Sequence, residues 1–91
     1  MTWVDLKRVR KDIDKLPLYI VIKLQKWAEQ IEMIGLREVR KHPGYHDEPL
    51  YGERNGQSSI RLSRSYRAIY IERVDRNIEL VVVIEVCNHK Y

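Results

Sequence analysis

The chain lacks several features that would place it in a large class of proteins. A single cysteine, Cys87, excludes an internal disulfide, so we expect a reduced thiol and a cytoplasmic protein. No run of ~18 consecutive apolar residues is present, so we expect no membrane span. Charged side chains begin at Asp5 and Lys7, which is unlike a secretory signal peptide.

The common catalytic and cofactor motifs are also missing. There is no glycine-rich phosphate loop, no nucleophile elbow and no plausible order of a Ser/His/Asp triad. His42 and His46 are four positions apart, but Pro43 and Gly44 between them prevent the helix that would align them as metal ligands. We therefore expect neither a metal nor a small-molecule cofactor.

What the chain does contain is enough for one small domain. With 91 residues, 44% of them hydrophobic and 33% charged, we expect a single domain over residues 1–91. The formal net charge is +4 and the pI is near 9.3, which favours an anionic partner such as nucleic acid.

The first third of the chain predicts two helices. Apolar residues recur at helical spacing from Leu6 to Leu16, and Pro17 ends that segment or begins the next. The second helix shows a clearer apolar stripe, which ends before Gly35. Its members are Ile20, Leu24, Trp27, Ile31 and Ile34.

The remainder of the chain predicts strands. The candidates are residues 2–6, 59–63, 66–74 and 78–87, the last being apolar enough for a central strand covered on both faces. Asn55-Gly56 predicts a two-residue hairpin turn, and a second turn falls at residues 75–77. The sequence therefore predicts an α+β fold, with an N-terminal helical hairpin packed on one face of a mainly antiparallel sheet of three to five strands.

A polar row on one strand is the first candidate for function. Ile60 and Leu62 alternate with Arg61, so Arg61 should project from the face that the helices leave free. Arg67 begins the next strand, and two guanidinium groups at one point would suit a phosphate. The strand pattern leaves open which way Arg67 faces, and a simply solvated outer face is the alternative interpretation.

Proton donors and acceptors cluster in two other places. His46 and Glu48 lie in a loop that enters the sheet, and His89 and Tyr91 follow the last strand. These side chain types can take or give a proton at neutral pH. The alternative is an exposed loop and a frayed terminus without function.

Three segments with their spacing resemble toxins of the RelE/ParE superfamily, above all the RelE and HigB-type mRNA interferases of type II toxin–antitoxin systems. They are Gly44-Tyr45-His46-Asp47-Glu48-Pro49-Leu50, then Gly52-x-Arg54-x-Gly56-Gln57-x-Ser59-Ile60-Arg61-Leu62, then Tyr66-Arg67-x-Ile69-Tyr70. The order of helices and strands agrees with that superfamily over nearly the whole chain.

The resemblance implies a metal-independent endoribonuclease that cuts mRNA in the ribosomal A site by attack of a 2′-hydroxyl on the adjacent phosphate. It also implies a cognate antitoxin as partner. Catalytic roles would fall to Glu48 as general base, Arg67 on the transition state, and His89 and Tyr91, with His46 as a rival base. Contacts to RNA and its phosphates would come from Arg54, Arg61, His46 and Lys90.

The sequence leaves two other functions open. One is a ParE-like toxin that inhibits a protein target such as DNA gyrase. The other is a non-catalytic RNA- or protein-binding domain whose polar sheet face only docks.

Overall fold

A five-stranded sheet is the centre of the fold in a computed structural model, which describes residues 1–88. The strands are β1 Thr2–Asp5, β2 Glu48–Pro49, β3 Gln57–Arg61, β4 Tyr66–Asp75 and β5 Ile78–Asn88. Their order across the sheet is β1-β5-β4-β3-β2. β1 runs parallel to β5 and the other pairs are antiparallel, so the predicted α+β class and mainly antiparallel sheet are confirmed.

The helical part is smaller at its start than the sequence predicts. The α-helices are α1 Arg10–Ile13, α2 Leu18–Ile34 and α3 Leu36–Val39, and a 3-10 turn at Lys7–Val9 precedes α1. The expected first helix over residues 6–16 is therefore wrong in length. Basic side chains and no acid occupy its first turn, which opposes the helix dipole, and Pro17 stops any extension.

The core lies between α2 and one face of the sheet. Ile20, Leu24, Trp27 and Ile31 are fully buried, which confirms most of the predicted stripe. Ile34 is the exception, with 59% of its surface exposed, because α2 ends there and Gly35 turns away at φ 87°. Sheet residues of one face complete the same core, namely Ile60, Leu62, Ala68, Tyr70, Val81 and Val83.

The other face of the sheet is open over β3, β4 and β5. The prediction that β5 is covered on both faces is wrong, because Glu85 and Cys87 line a pocket on this open face. Only the middle of β5 is apolar and buried on both sides, as Val82 and its neighbours show. The open face is where the polar row of β3 points.

Turn chemistry differs from the sequence prediction at one of two places. Asn55 has φ −56° and follows a 3-10 turn at Gly52–Arg54, so Asn55-Gly56 does not form a two-residue hairpin. The tight hairpin joins β4 to β5 instead, where Asp75 pairs with Ile78. Arg76 and Asn77 between them have φ 48° and 70°, as a type I′ turn requires.

None of the helices within residues 1–88 has the length and apolar character that a membrane crossing needs.

Candidate functional site

A pocket on the open face contains Glu48 and Arg67. Its volume is about 470 Å³. The lining residues come from β2 to β5 and the loop between β2 and β3: Glu48, Leu50, Arg54, Ser59, Arg67, Ile69, Glu85 and Cys87. The sheet register brings these residues together, since Glu48 pairs with Ser59 and Arg67 pairs with Cys87. The pocket therefore combines carboxylates and guanidinium groups with apolar side chains.

Arg67 is the less exposed member of the pair in this pocket. Its side chain is 17% exposed, and its Nη1 atom lies 3.6 Å from Glu48 Oε1. The same nitrogen donates a long hydrogen bond of 3.5 Å to Ser59 Oγ. Both contacts are at the outer limit for hydrogen bonding, and a guanidinium carries five N–H donors. Arg67 therefore keeps donors for an anion that enters the pocket.

Glu48 stands at the rim. Its side chain is 60% exposed, so a bound molecule can reach the carboxylate from solvent. The short strand β2 places it, because Glu48 pairs with Ser59 and Pro49 pairs with Ser58 in β3. A carboxylate that is accessible and close to a cation is suited to accept a proton from a ligand held by that cation.

Arg61 faces the same side of the sheet as Arg67, since the two residues are direct cross-strand partners. The strand pattern alone left this point open. Like charges in directly opposite positions are unfavourable in a sheet unless something neutralises them. An anion over β3 and β4 would do so.

Arg61 does not line the pocket of Glu48 and Arg67, however. It lines a neighbouring groove of about 650 Å³ with Lys23 and Arg64, and the lining holds no acidic residue. The Nε atom of Arg61 is buried and finds no acceptor within residues 1–88. The groove is therefore a positively charged site where the end of β3 and the residues after it meet α2.

Arg54 lines the pocket but is already engaged. Its Nη2 atom lies 3.0 Å from Glu85 Oε1, and its Nη1 atom donates to Gln57 Oε1 at 3.0 Å. These contacts hold the guanidinium against the wall of the pocket. A ligand phosphate would have to compete with Glu85 for Arg54.

Cys87 lies beside Arg67 in the pocket wall. Burial raises the pKa of the Cys87 thiol, and the nearby carboxylate of Glu85 raises it further. The thiol is therefore protonated at neutral pH and is a poor nucleophile. The position of Cys87 gives no support to covalent catalysis.

The other predicted site residues are placed differently. His46 is exposed with φ 47°, and it is not among the residues that line the Glu48 pocket. His89, Lys90 and Tyr91 lie outside the described residues, so their predicted roles stay predictions.

A polar cluster with a buried centre adjoins Glu48 in the sequence at Asp47. The hydroxyl of Tyr70 donates a hydrogen bond of 2.6 Å to Asp47 Oδ2 and accepts one of 3.2 Å from Arg40 Nε. Arg40 also forms an ion pair with Glu72. Tyr70 is fully buried, and the side chain of Asp47 is only 4% exposed. Burial raises the pKa of Asp47, which the hydrogen bond from Tyr70 and the charge of Arg40 oppose.

Sequence reasoning missed the roles of Glu85 and of this cluster. Glu85 has a signal in the sequence, because it is the only charged residue between Leu80 and Cys87. The meeting of Arg40, Asp47 and Tyr70 has none, since they come from three separate segments whose contact depends on the tertiary fold.

Within residues 1–88, no group of three or more His, Cys, Asp or Glu side chains is placed to hold a metal ion.

No protein-family model and no curated protein sequence matches the chain. Solved structures do match. The YoeB/ParE toxin from Agrobacterium tumefaciens superposes with a TM-score of 0.68 at 18% identity, over 97% of this chain and 99% of that one.

Two further neighbours are similar over their full lengths. The toxin–antitoxin complex RelBE2 from Mycobacterium tuberculosis matches with a TM-score of 0.65 at 27% identity, over 96% of each chain. The YoeB–YefM complex from Staphylococcus aureus matches with a TM-score of 0.60 at 18% identity, over 100% of this chain and 99% of that one. The expectation of fold that came from the sequence resemblance is therefore confirmed.

Proposed function

Because this chain has the fold of RelE/ParE-superfamily toxins, we propose that it is the toxin of a type II toxin–antitoxin system and an endoribonuclease that cuts mRNA in the ribosomal A site. The observation that carries the proposal is the pair of Glu48 and Arg67 in one open pocket, 3.6 Å apart. In such a pair, the Glu48 carboxylate can accept a proton and the Arg67 guanidinium can bind the phosphate of the same bound RNA.

The chemistry follows from the needs of RNA cleavage. The 2′-hydroxyl of one nucleotide loses its proton to Glu48 and attacks the adjacent phosphorus atom. Negative charge then builds up on the phosphate oxygens, and the guanidinium of Arg67 stabilises it. The bond to the 5′-oxygen of the next nucleotide breaks, which leaves a 2′,3′-cyclic phosphate. That oxygen takes a proton from an acid, a role that we assign to His89 or Tyr91 by the resemblance alone.

The positive groove beside the pocket supports an RNA substrate. Arg61 is opposite Arg67 in the ladder and lines the groove with Lys23 and Arg64. A strand whose reacting phosphate lies at Arg67 would place a neighbouring phosphate over Arg61. Backbone phosphates supply most of the affinity of nucleic acid for basic proteins, which fits a chain of net charge +4.

An antitoxin is part of the proposal. The neighbouring structures include toxin–antitoxin complexes, and this chain carries cations at Arg61, Arg67 and the groove of Lys23 and Arg64 that an acidic segment would neutralise. We propose that a cognate antitoxin keeps the toxin inactive in the cytoplasm, where mRNA and ribosomes are found.

The experiment that tests the chemistry uses a modified substrate. Purified protein is incubated with ribosomes that carry an mRNA with a single 2′-deoxynucleotide on the 5′ side of the cleaved bond. We expect no cleavage at that bond and unchanged cleavage of the all-ribose message, with a 2′,3′-cyclic phosphate on the product. Equal cleavage of both messages would contradict the mechanism.

The ParE-like alternative predicts a different result. A toxin that inhibits DNA gyrase would block supercoiling and leave mRNA intact. Measuring both processes in the same treated extract distinguishes the two functions. A non-catalytic binding domain would neither block supercoiling nor cleave mRNA. Substitution of Glu48, Arg67 and His89 together would leave its activity unchanged.

A further inference from the structure

We propose that Asp47 is a positioning residue, which fixes the general base Glu48 through its hydrogen bond from Tyr70. The proposal rests on the proposed function, because it takes Glu48 as the base. It adds a residue that touches neither the phosphate nor the 2′-hydroxyl. The anchor consists of Asp47, Tyr70 and Arg40, and we call it the Asp47 anchor.

The geometry of the anchor joins three parts of the fold. Tyr70 belongs to β4 in the middle of the sheet, and its ring packs against Trp27 of α2 with centroids 5.3 Å apart. Its hydroxyl therefore has a fixed position. From there it donates to Asp47 Oδ2 at 2.6 Å and accepts from Arg40 Nε at 3.2 Å. Asp47 is thereby held to the rigid core at the position directly before Glu48.

Glu48 needs such an anchor because β2 is weak by itself. The strand has two residues, and Pro49 has no N–H to give to the ladder. His46, which directly precedes Asp47, has a left-handed φ of 47° that most residue types avoid. On the far side, the N–H of Leu50 donates to the carbonyl of Gln57 at 2.8 Å. Asp47 is therefore the side chain that ties the approach to Glu48 to the core.

A buried carboxylate is a costly way to anchor a loop. The Asp47 side chain is 4% exposed, and a desolvated charge is unfavourable unless it is paired and hydrogen-bonded. The contacts with Tyr70 and Arg40 offset that cost, and Arg40 is itself held by Glu72. The result is a short, directional hydrogen bond from Tyr70 to the residue directly before the base Glu48.

The expected effect is on the rate of the bond-breaking step and hardly on substrate binding. A displacement of about 1 Å at a reacting group can reduce the rate by ~10²-fold. We therefore expect Asp47→Ala to reduce the single-turnover rate at saturating protein by about that factor. The protein concentration at half-maximal rate should stay within about twofold, because Arg61 and Arg67 still bind the phosphates.

Two variants, compared with Asp47→Ala, separate positioning from loss of stability. Asp47→Asn keeps an oxygen that accepts from the Tyr70 hydroxyl, so it should retain most of the rate. Val9→Ala removes buried volume from the 3-10 turn at Lys7–Val9, which packs against β5, and serves as a control that destabilises the core at a residue outside the Glu48 pocket. It should keep the wild-type rate below its melting temperature.

The decisive readout is the double variant. If Asp47 acts through Glu48, then Glu48→Gln with Asp47→Ala should be no slower than Glu48→Gln alone, since the base is already gone. The positioning role would be overturned if the rate losses of the two single variants multiplied in the double variant. It would also be overturned if Asp47→Ala cleaved at the rate of Val9→Ala. Either result would leave Glu48 as the base. A Glu48→Gln protein that cleaves at the wild-type rate would overturn the proposed base, and the positioning role with it.

Discussion

The carboxylate of Glu48 in β2 and the guanidinium of Arg67 in β4 meet across β3 on the open face of the sheet, with Oε1 and Nη1 3.6 Å apart. The separation is too long for a strong ion pair, and the two groups differ in exposure, 60% for Glu48 and 17% for Arg67. A phosphate can therefore approach Arg67 while the base remains above it. The predictions below follow from this arrangement and from the elements that hold it.

Replacing the carboxylate of Glu48 should stop the chemistry without harming the fold. We expect Glu48→Gln to reduce cleavage of ribosome-bound mRNA by about 10²- to 10⁴-fold, the usual contribution of a general base. Its thermal stability should change little, because the side chain is mostly solvated. Glu53→Gln is the matched control, since Glu53 is exposed and does not line the pocket. Similar losses in both variants would argue against a specific role of Glu48.

The basic groove should contribute to RNA affinity through charge. In a Glu48→Gln background, Lys23→Glu with Arg64→Glu should weaken binding of a single-stranded RNA. It should also reduce the slope of log K against log salt by about 1.4, for two phosphate contacts of ~0.7 each.

The control for the groove has the same change in net charge at another place. Lys11→Glu with Lys15→Glu alters exposed residues in and after α1, away from the groove. We expect a salt slope close to that of the parent protein. Equal slopes for the two double variants would mean that the groove does not contact RNA.

The raised pKa of Asp47 predicts how stability depends on pH. A carboxyl whose pKa is raised in the folded state contributes stability below its unfolded pKa, and that contribution is lost as the pH rises through the folded pKa. The free energy of unfolding of the wild type, minus that of Asp47→Asn, should therefore fall as the pH rises from the unfolded pKa of Asp47 through its folded pKa.

Urea unfolding at a series of acidic to neutral pH values measures this difference. Taking the difference between two proteins removes the contributions of groups that do not interact with Asp47. A difference that is constant with pH, or that increases with it, contradicts the raised pKa.

The hairpin between β4 and β5 offers a test of backbone conformation. Arg76 has φ 48°, a conformation that costs a non-glycine residue about 1 kcal/mol and that asparagine tolerates better. Arg76→Asn should therefore raise the free energy of unfolding by up to ~1 kcal/mol. Asn55→Ala should change it little, because Asn55 has an ordinary φ of −56°. A larger effect of Asn55→Ala would contradict the observed turn.

The elements that could be predicted from the sequence are those with strong local patterns. The stripe of Ile20, Leu24 and Trp27 predicts α2 because its period repeats over several turns. The same holds for the alternation of β3, which places Arg61 on the open face. Asn55-Gly56 misled the prediction because the dipeptide favours a turn type without fixing which strands meet. The dipeptide lies at the end of a longer connection from Leu50 to Gly56, and β2 pairs with β3 on either side of that connection.

The candidate site could be predicted in part for a similar reason. Glu48 and Arg67 are linked by the resemblance, but their distance depends on the pairing of β2 with β3 and of β3 with β4. No local pattern contains that pairing. Tyr70 is completely buried, and its hydroxyl bond to Asp47 requires the tertiary fold.

The central claim is that Arg67 acts on the phosphate of a bound message. Toeprinting of ribosome-bound mRNA with purified wild-type protein beside Arg67→Ala tests it most directly, with circular dichroism to show that both proteins are folded. We predict cleavage in the A-site codon by the wild type and none by Arg67→Ala, whose expression should no longer inhibit growth. Normal cleavage by a folded Arg67→Ala protein would contradict the account.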